Sequence, residues 1–322
     1  MAKNQSIVPL SQASIEALVP VVEQARTYAK KAVADNTDTA YKSDWRDFEA
    51  WCDLYSLQAL PALPEALAAY ITTLAERLAT STIRRRLASI SREHLLAGHT
   101  SPATDPIVQE VWKGIRRVKG CAPKQKDALL TDHLQKICLA LPDTMRGARD
   151  RALLLIGVSG GFRRSELVAI DIEHIRFTED GVIILVPSSK TDQEGQGVEV
   201  GIPRGKSQTC PVRALQAWIS RAGIHAGPVF WGIDKHDNLL GHRMSDRGVA
   251  RAVKSACELI DLDPSVFAGH SLRSGLATNA AYNGAPTHAI AAQGRWKNFE
   301  TVARYIRRGE LFKNNAAEYL GL

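Results

Sequence analysis

Gly181–Pro203 reads GVIILVPSSKTDQEGQGVEVGIP. Its two ends, Gly181–Pro187 and Val198–Pro203, are β-rich, while residues 188–197 (SSKTDQEGQG) are polar and carry glycine, so the pair predicts a β-hairpin. Around it the spacing is helical. Downstream, helices are expected over about 211–222, 245–260, 271–283, 286–293 and 299–307. Upstream they are expected over Thr131–Leu141 and Thr144–Val158, with Ser159-Gly160-Gly161 breaking the pattern before a short helix through Leu167. One hairpin among so many helices sets the class: mainly α, with a small β-sheet.

Further upstream, Gly120 to Asp127 has no apolar periodicity and reads as an exposed linker. Before it, Tyr41, Trp45, Phe48, Trp51, Cys52 and Tyr55 recur at spacings of three to four, which puts them on one helix face from Thr37 onward, with Asn36, Thr37 and Asp38 as possible N-caps. Pro64-Glu65 starts a second helix to about Arg77, Thr80-Ser81 a third ending at Gly98, and Asp105-Pro106 a fourth to about Val118. The first 35 residues are loosely specified, with one amphipathic stretch at Ile15–Tyr28. The expected organisation is an N-terminal extension (1–36), a small all-α domain (37–118), a basic linker (119–126) and a second domain with a C-terminal tail (127–322), in keeping with two domains' worth of chain.

Composition narrows the class. With 45% hydrophobic and 23% charged residues the chain is neither a disordered polar polymer nor collagen-like. The best apolar run, Ala152–Val158, is far short of the ~20 residues a membrane span needs. The start, MAKNQSIVPLSQAS, lacks a secretory pattern. Five scattered cysteines, never paired as Cys-x-x-Cys, point away from a disulfide framework or zinc site and toward a reducing cytoplasm. No metal and no cofactor are expected. The net charge of +7 favours an anionic partner. Lys113 to Lys126 holds six cations (Lys113, Arg116, Arg117, Lys119, Lys124, Lys126) and no acid, as a stripe tracking phosphates would. Arg84, Arg85 and Arg86 on the third helix are ambiguous: a solvated basic face is the ordinary reading, and entry into or against a DNA groove is the reading for a helix in a DNA-clamping domain.

No Walker loop, His-Glu-x-x-His or Gly-x-Ser-x-Gly elbow is present. What stands out is a set of polar residues in apolar helical context: Arg163 and Glu166 in GGFRRSEL, His270 and Arg273 in GHSLRSG, and Trp296 and Tyr305 in GRWKNFETVARYIRRG. Each alone is weak, since an Arg–Glu pair three apart is usually a surface ion pair.

Their order is not weak. Gly-x-Arg-x-x-Glu-Leu at Gly161–Leu167, Lys190-Thr191 in the hairpin, His-x-x-Arg at His270–Arg273, and Gly-x-Trp with Tyr nine residues after the Trp resemble the tyrosine recombinase (phage integrase) family over Thr37 to about Gly309. The resemblance implies a two-domain, C-shaped DNA clamp: an N-terminal helical core-binding domain and an α+β catalytic domain, joined by the basic linker. It implies a site-specific recombinase that cleaves and rejoins DNA through a 3′-phosphotyrosyl intermediate and a Holliday junction, without metal or ATP. The partners implied are double-stranded DNA with inverted half-sites and, on two such sites, a homotetramer of protomers that are monomeric in solution; an accessory protein is left open.

The chemistry of the residues agrees. Charge building on a phosphodiester in its transition state is matched by two guanidiniums, Arg163 and Arg273. Tyr305 is the candidate nucleophile, storing the bond energy as an ester. Lys190 is the candidate general acid for the leaving 5′-oxygen, and His270 handles the phenol's proton. Glu166 would orient Arg163 or His270. Trp296 would donate to phosphate and buttress Tyr305. Arg164, Lys206, Tyr282 and Tyr319 rank behind Arg163, Lys190 and Tyr305, and His242 and His288 read as ordinary surface histidines. A type IB topoisomerase-like relaxing activity and a catalytically silent DNA-binding regulator on the same fold are the alternatives.

Overall fold

The computed structural model describes residues 18–21, 24, 28, 35–120, 126–187, 197–309, 317 and 320. The chain divides into two compact units, Met1–Lys124 and Gln125–Leu322. Among the described residues no helix is long and apolar enough to cross a membrane.

The first unit is built from α1 (Asp35–Leu54), α2 (Pro64–Arg77), α3 (Thr80–Leu96) and α4 (Pro106–Lys119). Pro64 and Pro106 each open a helix, where a missing N–H costs nothing, and Asp105 caps α4 by accepting from the Ile107 N–H at 2.9 Å. Phe48, Cys52, Leu67, Tyr70, Ile71, Leu74, Ile83 and Ile90 form its core.

Three expectations need correction. Asn36, Thr37 and Asp38 lie within helix α1 (Asp35–Leu54) rather than ahead of it. Asp38 instead takes Lys42 at 2.7 Å and Arg92 at 2.9 Å, cations that outcompete a backbone N–H for its carboxylate. Tyr55 lies past the helix and is exposed, although its ring rests on Trp51. The run Arg84-Arg85-Arg86 is not exposed as a block, because successive helical residues turn by about 100°. Arg86 points inward, hydrogen-bonded to Asp47 and, at 2.5 Å, to the Tyr70 hydroxyl, and Arg85 pairs with buried Asp44 at 3.1 Å. Arg86 holds α1, α2 and α3 together.

The second unit contains α5 (Thr131–Ala140), α6 (Met145–Ser159), α7 (Arg164–Val168), β1 (Ile175–Phe177), β2 (Gly181–Val186), β3 (Val198–Pro203), α8 (Pro211–Ala222), β4 (Trp231–Ile233), β5 (Leu239–Arg243), α9 (Asp246–Glu258), α10 (His270–Tyr282), α11 (Thr287–Gly294) and α12 (Phe299–Gly309). The expected hairpin is the β2–β3 pair, and β1 adds a third antiparallel strand in the order β1-β2-β3. Val182 faces Ile202 and Ile184 faces Val200, all four buried, as alternation in a one-sided sheet requires. The second ribbon, β4–β5, is absent from the sequence reading; its strands are too short to show alternation.

That ribbon has a positional job. Asp237 at its turn accepts from the N–H groups of Met145 (2.7 Å) and Arg146 (2.9 Å), capping α6 from outside the helix while Thr144 caps it from within. Helix α6 then runs through the core, with Ala152, Leu153, Leu154 and Ile156 fully buried, and delivers Gly160-Gly161 to the site. A separate small cluster of Ala277, Ala281, Ile290, Ala291 and Val302 packs α10, α11 and α12 closely because its α10 face is alanine. Tyr305 sits in that cluster.

Candidate active site

At the end of α6 the chain reverses at Gly161, whose φ of +56° lies in the left-handed region that suits glycine. Arg163 follows as the residue before α7. Its backbone N–H donates to Glu166 Oε2 at 3.0 Å and its guanidinium pairs with Glu166 Oε1, the reach of an i, i+3 pair at a helix start. Burial works against a charged Glu166, but the Arg163 N–H, then the Arg295 and Arg163 guanidiniums, outweigh it and hold the carboxyl below the ordinary glutamate value. The open alternative for Glu166 resolves toward arginine: both its oxygens are engaged by Arg163 and Arg295.

Helix α10 carries His270 on its first turn and Arg273 one turn on. Arg273 is 2% exposed, yet it is an arginine, so each donor has to be accounted for. Nη1 donates to the Gly161 carbonyl at 2.6 Å and Nη2 to the Arg295 carbonyl at 3.4 Å, while the guanidinium lies 4.3 Å from the Trp296 ring centroid. Burial, and next the nearby Arg163, push Arg273 down to about 9. Three guanidiniums, Arg163, Arg273 and Arg295, with the one carboxylate of Glu166 among them leave a site that favours a bound anion.

His270 Nε2 and the Tyr305 hydroxyl are 2.6 Å apart. His270 keeps an exposed edge, but the protein packed round it, and then the charges of Arg273 and Arg163, hold its imidazole below the ordinary histidine value. The lowered value favours the neutral ring, whose unprotonated nitrogen can accept the phenol proton across this contact. Tyr305 is 3% exposed, and its ring lies 6.1 Å from that of Trp296. Trp296 thus packs beside both the nucleophile candidate and Arg273.

Arg163, Glu166, His270, Arg273, Trp296 and Tyr305 come together from α6–α7, α10, the α11–α12 turn and α12. Lys190 and Thr191, expected on the hairpin tip, lie outside the described residues, as do Lys124 of the basic run and Tyr319. Of the competing residues, Arg164 is exposed and pairs with Asp246 at 3.0 Å, and Tyr282 is 59% exposed.

The sequence reading missed Arg295 and Gln293. Gln293 donates to the Ser159 and Gly201 carbonyls, both at 3.0 Å, tying α11 to the end of α6 and to β3. Arg295 reaches Glu166 at 2.9 Å from 129 positions away. Only the run GRWK, a cation beside the Trp of a motif, could have drawn attention to it.

In the first unit, Arg84 and Arg116 line a cavity with Thr80, Ser81 and Trp112 at the start of α3. Lys113 is exposed and meets Glu110 at 3.4 Å, Arg117 is exposed, and Lys119 donates to the Ala75 carbonyl. In the second unit Lys126 donates to the Ser265 carbonyl at 2.5 Å. Among the described residues, no three His, Cys, Asp or Glu side chains cluster as metal ligands.

Comparison with known proteins gives one consistent picture. The phage integrase family model matches residues 128–310. An integrase/recombinase xerD homolog of Selenomonas ruminantium is 41% identical, covering 91% of this chain and 87% of its own. Recombinase Cre of Escherichia phage P1 is 26% identical over 95% of this chain and 93% of its own. Among solved structures, the Tn1549 transposon integrase in complex with transposon right-end DNA superposes with a TM-score of 0.63 at 16% identity, covering 88% of this chain and 92% of that one.

Proposed function

This chain belongs to the phage integrase family and is a site-specific DNA recombinase, and from that premise we propose that Tyr305 is its nucleophile, acting with Arg163, His270 and Arg273. The observation that carries the assignment is the 2.6 Å contact between Tyr305 Oη and His270 Nε2 beside two arginines. The phenol oxygen attacks the scissile phosphorus in line, passing its proton to Nε2. Arg163 and Arg273 donate to the non-bridging oxygens as their charge grows. The 5′-oxygen leaves with a proton from Lys190, and a 3′-phosphotyrosyl ester remains. Attack of a 5′-hydroxyl on that ester reverses each transfer, so rejoining needs no nucleotide cofactor. Trp296 packs beside the Tyr305 ring and helps to hold it in place.

One chain with one tyrosine cuts one strand. Exchange between two duplexes requires four cuts, so four protomers act on a pair of sites, two strands at a time through a Holliday junction. Inverted half-sites follow from the pairing of protomers on each duplex. The cavity formed by Thr80, Ser81, Arg84, Trp112 and Arg116 offers hydroxyls, guanidiniums and a helix start to a backbone phosphate, which supports a DNA-contacting role for the first unit. The proposed units are an N-terminal extension (1–36), a core-binding domain (37–118), a linker (119–126) and a catalytic domain (127–322), working in the cytoplasm as part of a mobile element.

The test is a suicide duplex, nicked so that the cleaved strand end diffuses away, built on an inverted repeat that this protein selects from a random library. The parent chain should form a covalent adduct. Tyr305→Phe should bind the same duplex and form none, because only the attacking oxygen is removed. Adduct from the phenylalanine variant would move the nucleophile elsewhere.

A further inference from the structure

Arg295 stands between the two halves of the catalytic centre. Its backbone is left-handed (φ 55°, ψ 46°), a conformation disfavoured for a residue with a Cβ, and its side chain is 8% exposed. That side chain spends its donors on separated pieces of the chain. Nη1 donates to the Gly160 and Gln293 carbonyls, both at 3.0 Å, and Nη2 to Glu166 Oε2 at 2.9 Å. The guanidinium lies 4.9 Å from the Phe162 ring centroid. Its own carbonyl accepts from Arg273, and the next residue is Trp296.

We propose that Arg295 is a positioning residue for the phosphate clamp, acting through Glu166 on Arg163 and through the Gly160–Gly161 turn on Arg273. Glu166 is buried, and its carboxylate is divided between two guanidiniums. Left alone with Arg163, that carboxylate would compete with the scissile phosphate for the guanidinium. With Arg295 on Oε2, one positive charge is matched and Arg163 keeps donors for the substrate. The second action is mechanical. The Gly161 carbonyl anchors Arg273 at 2.6 Å, and Arg295 braces the adjoining Gly160 carbonyl. This proposal rests on the assignment of Arg163, Arg273 and Tyr305 as catalytic residues.

The experiment measures single-turnover adduct formation on the nicked, library-selected duplex, beside half-site affinity, in the full chain. Arg295→Asn removes the guanidinium while tolerating the left-handed backbone. It should leave half-site affinity within about threefold and slow adduct formation by about 100-fold, the scale of losing one preorganised charge in a site. Adding Glu166→Gln removes the carboxylate that Arg295 no longer shares, and the double variant should regain about tenfold over Arg295→Asn. A residue that merely holds the fold gives no such rescue. Arg295→Lys provides a second measurement should the asparagine variant not fold: one ammonium cannot span Glu166 and two carbonyls in a plane, so cleavage should drop by about tenfold at parental affinity. Parental cleavage in folded Arg295→Asn or Arg295→Lys, or a double variant slower than Arg295→Asn, would overturn the proposal. Adduct formed by the parent and lost in Tyr305→Phe is read in the same assay, so an error in the nucleophile shows itself separately.

Discussion

Replacing Gly161 with alanine places a methyl group on a backbone at φ +56°, with its Cβ 2.5 Å from Leu276 Cδ2 and 3.3 Å from the Gly294 Cα. The left-handed conformation costs an alanine about 1–2 kcal/mol. Leu276 Cδ2 is the free end of a half-buried side chain that can swing aside, so this contact adds little. The expected loss is therefore about 1–2 kcal/mol, a measurable share of the ~5–15 kcal/mol that holds a typical protein folded. Function should suffer in the material that remains folded. The Gly161 carbonyl receives Arg273 Nη1 at 2.6 Å. A turn relaxed toward negative φ swings that carbonyl away, and a misplacement of this kind slows cleavage by about 10–100-fold. Urea unfolding followed by circular dichroism, with single-turnover cleavage measured well below the midpoint, reads both effects. Gly201→Ala is the control, since nothing lies within 4 Å of its Cβ and its backbone needs no left-handed angle; it should stay within about 0.5 kcal/mol of the parent. If Gly161→Ala unfolds alongside Gly201→Ala and cleaves at the parental rate, the turn does not hold Arg273 and the reasoning fails.

Other consequences are more local. Arg163→Lys and Arg273→Lys should each bind half-sites within a few-fold of the parent yet lose about 10²–10³ in cleavage rate, since an ammonium cannot make the planar two-point contact with phosphate; equal losses in binding and cleavage would refute a transition-state role. His270 in the free protein should titrate below the ordinary value near about 6.5, and Arg163→Gln should raise it, both read by NMR of the ring protons. Because unfolded His270 takes up its proton first as pH falls, its contribution to stability is complete above the unfolded value and is lost as pH drops through the folded one. The acid limb that His270 sets on cleavage should likewise lie below the ordinary histidine value; an acid limb at or above that value would contradict the environment described. Arg86→Met should destabilise the first unit by about 3 kcal/mol, by leaving Asp44 and Asp47 short of a cation, while a change under about 0.5 kcal/mol would return Arg86 to the surface.

Much of this was legible because the decisive signals are local. Pro64, Pro106 and Thr144 sit at helix starts for reasons that act within one turn, and the bounds of α2 and α8 agree with the sequence reading to the residue. The pairs Arg163–Glu166 and His270–Arg273 are legible for the same reason, each lying within a single turn. What was missed depends on distant partners. Arg295 takes its meaning from Gly160 and Glu166, 135 and 129 positions earlier, and nothing in GRWK announces them. Arg86 looks like its neighbours in a basic run; only the packing of α3 against α1 and α2 turns it toward Asp47 and Tyr70. Asp38 offered the side chain of a cap, and two cations claimed it. The β4–β5 ribbon escaped because strands of three and five residues give alternation too little length to register.

The measurement that bears most directly on the central assignment is the identity of the residue joined to DNA. Trapped adduct from the nicked duplex, digested with nuclease and protease, leaves a short nucleotide on one peptide, which tandem mass spectrometry can place to the residue. A 3′-phosphate ester on Tyr305, in the peptide containing Val302 and Ala303, is the expected result. A nucleotide on Tyr282, on Tyr319 or on a serine would contradict the roles of Tyr305 as nucleophile and His270 as its proton acceptor.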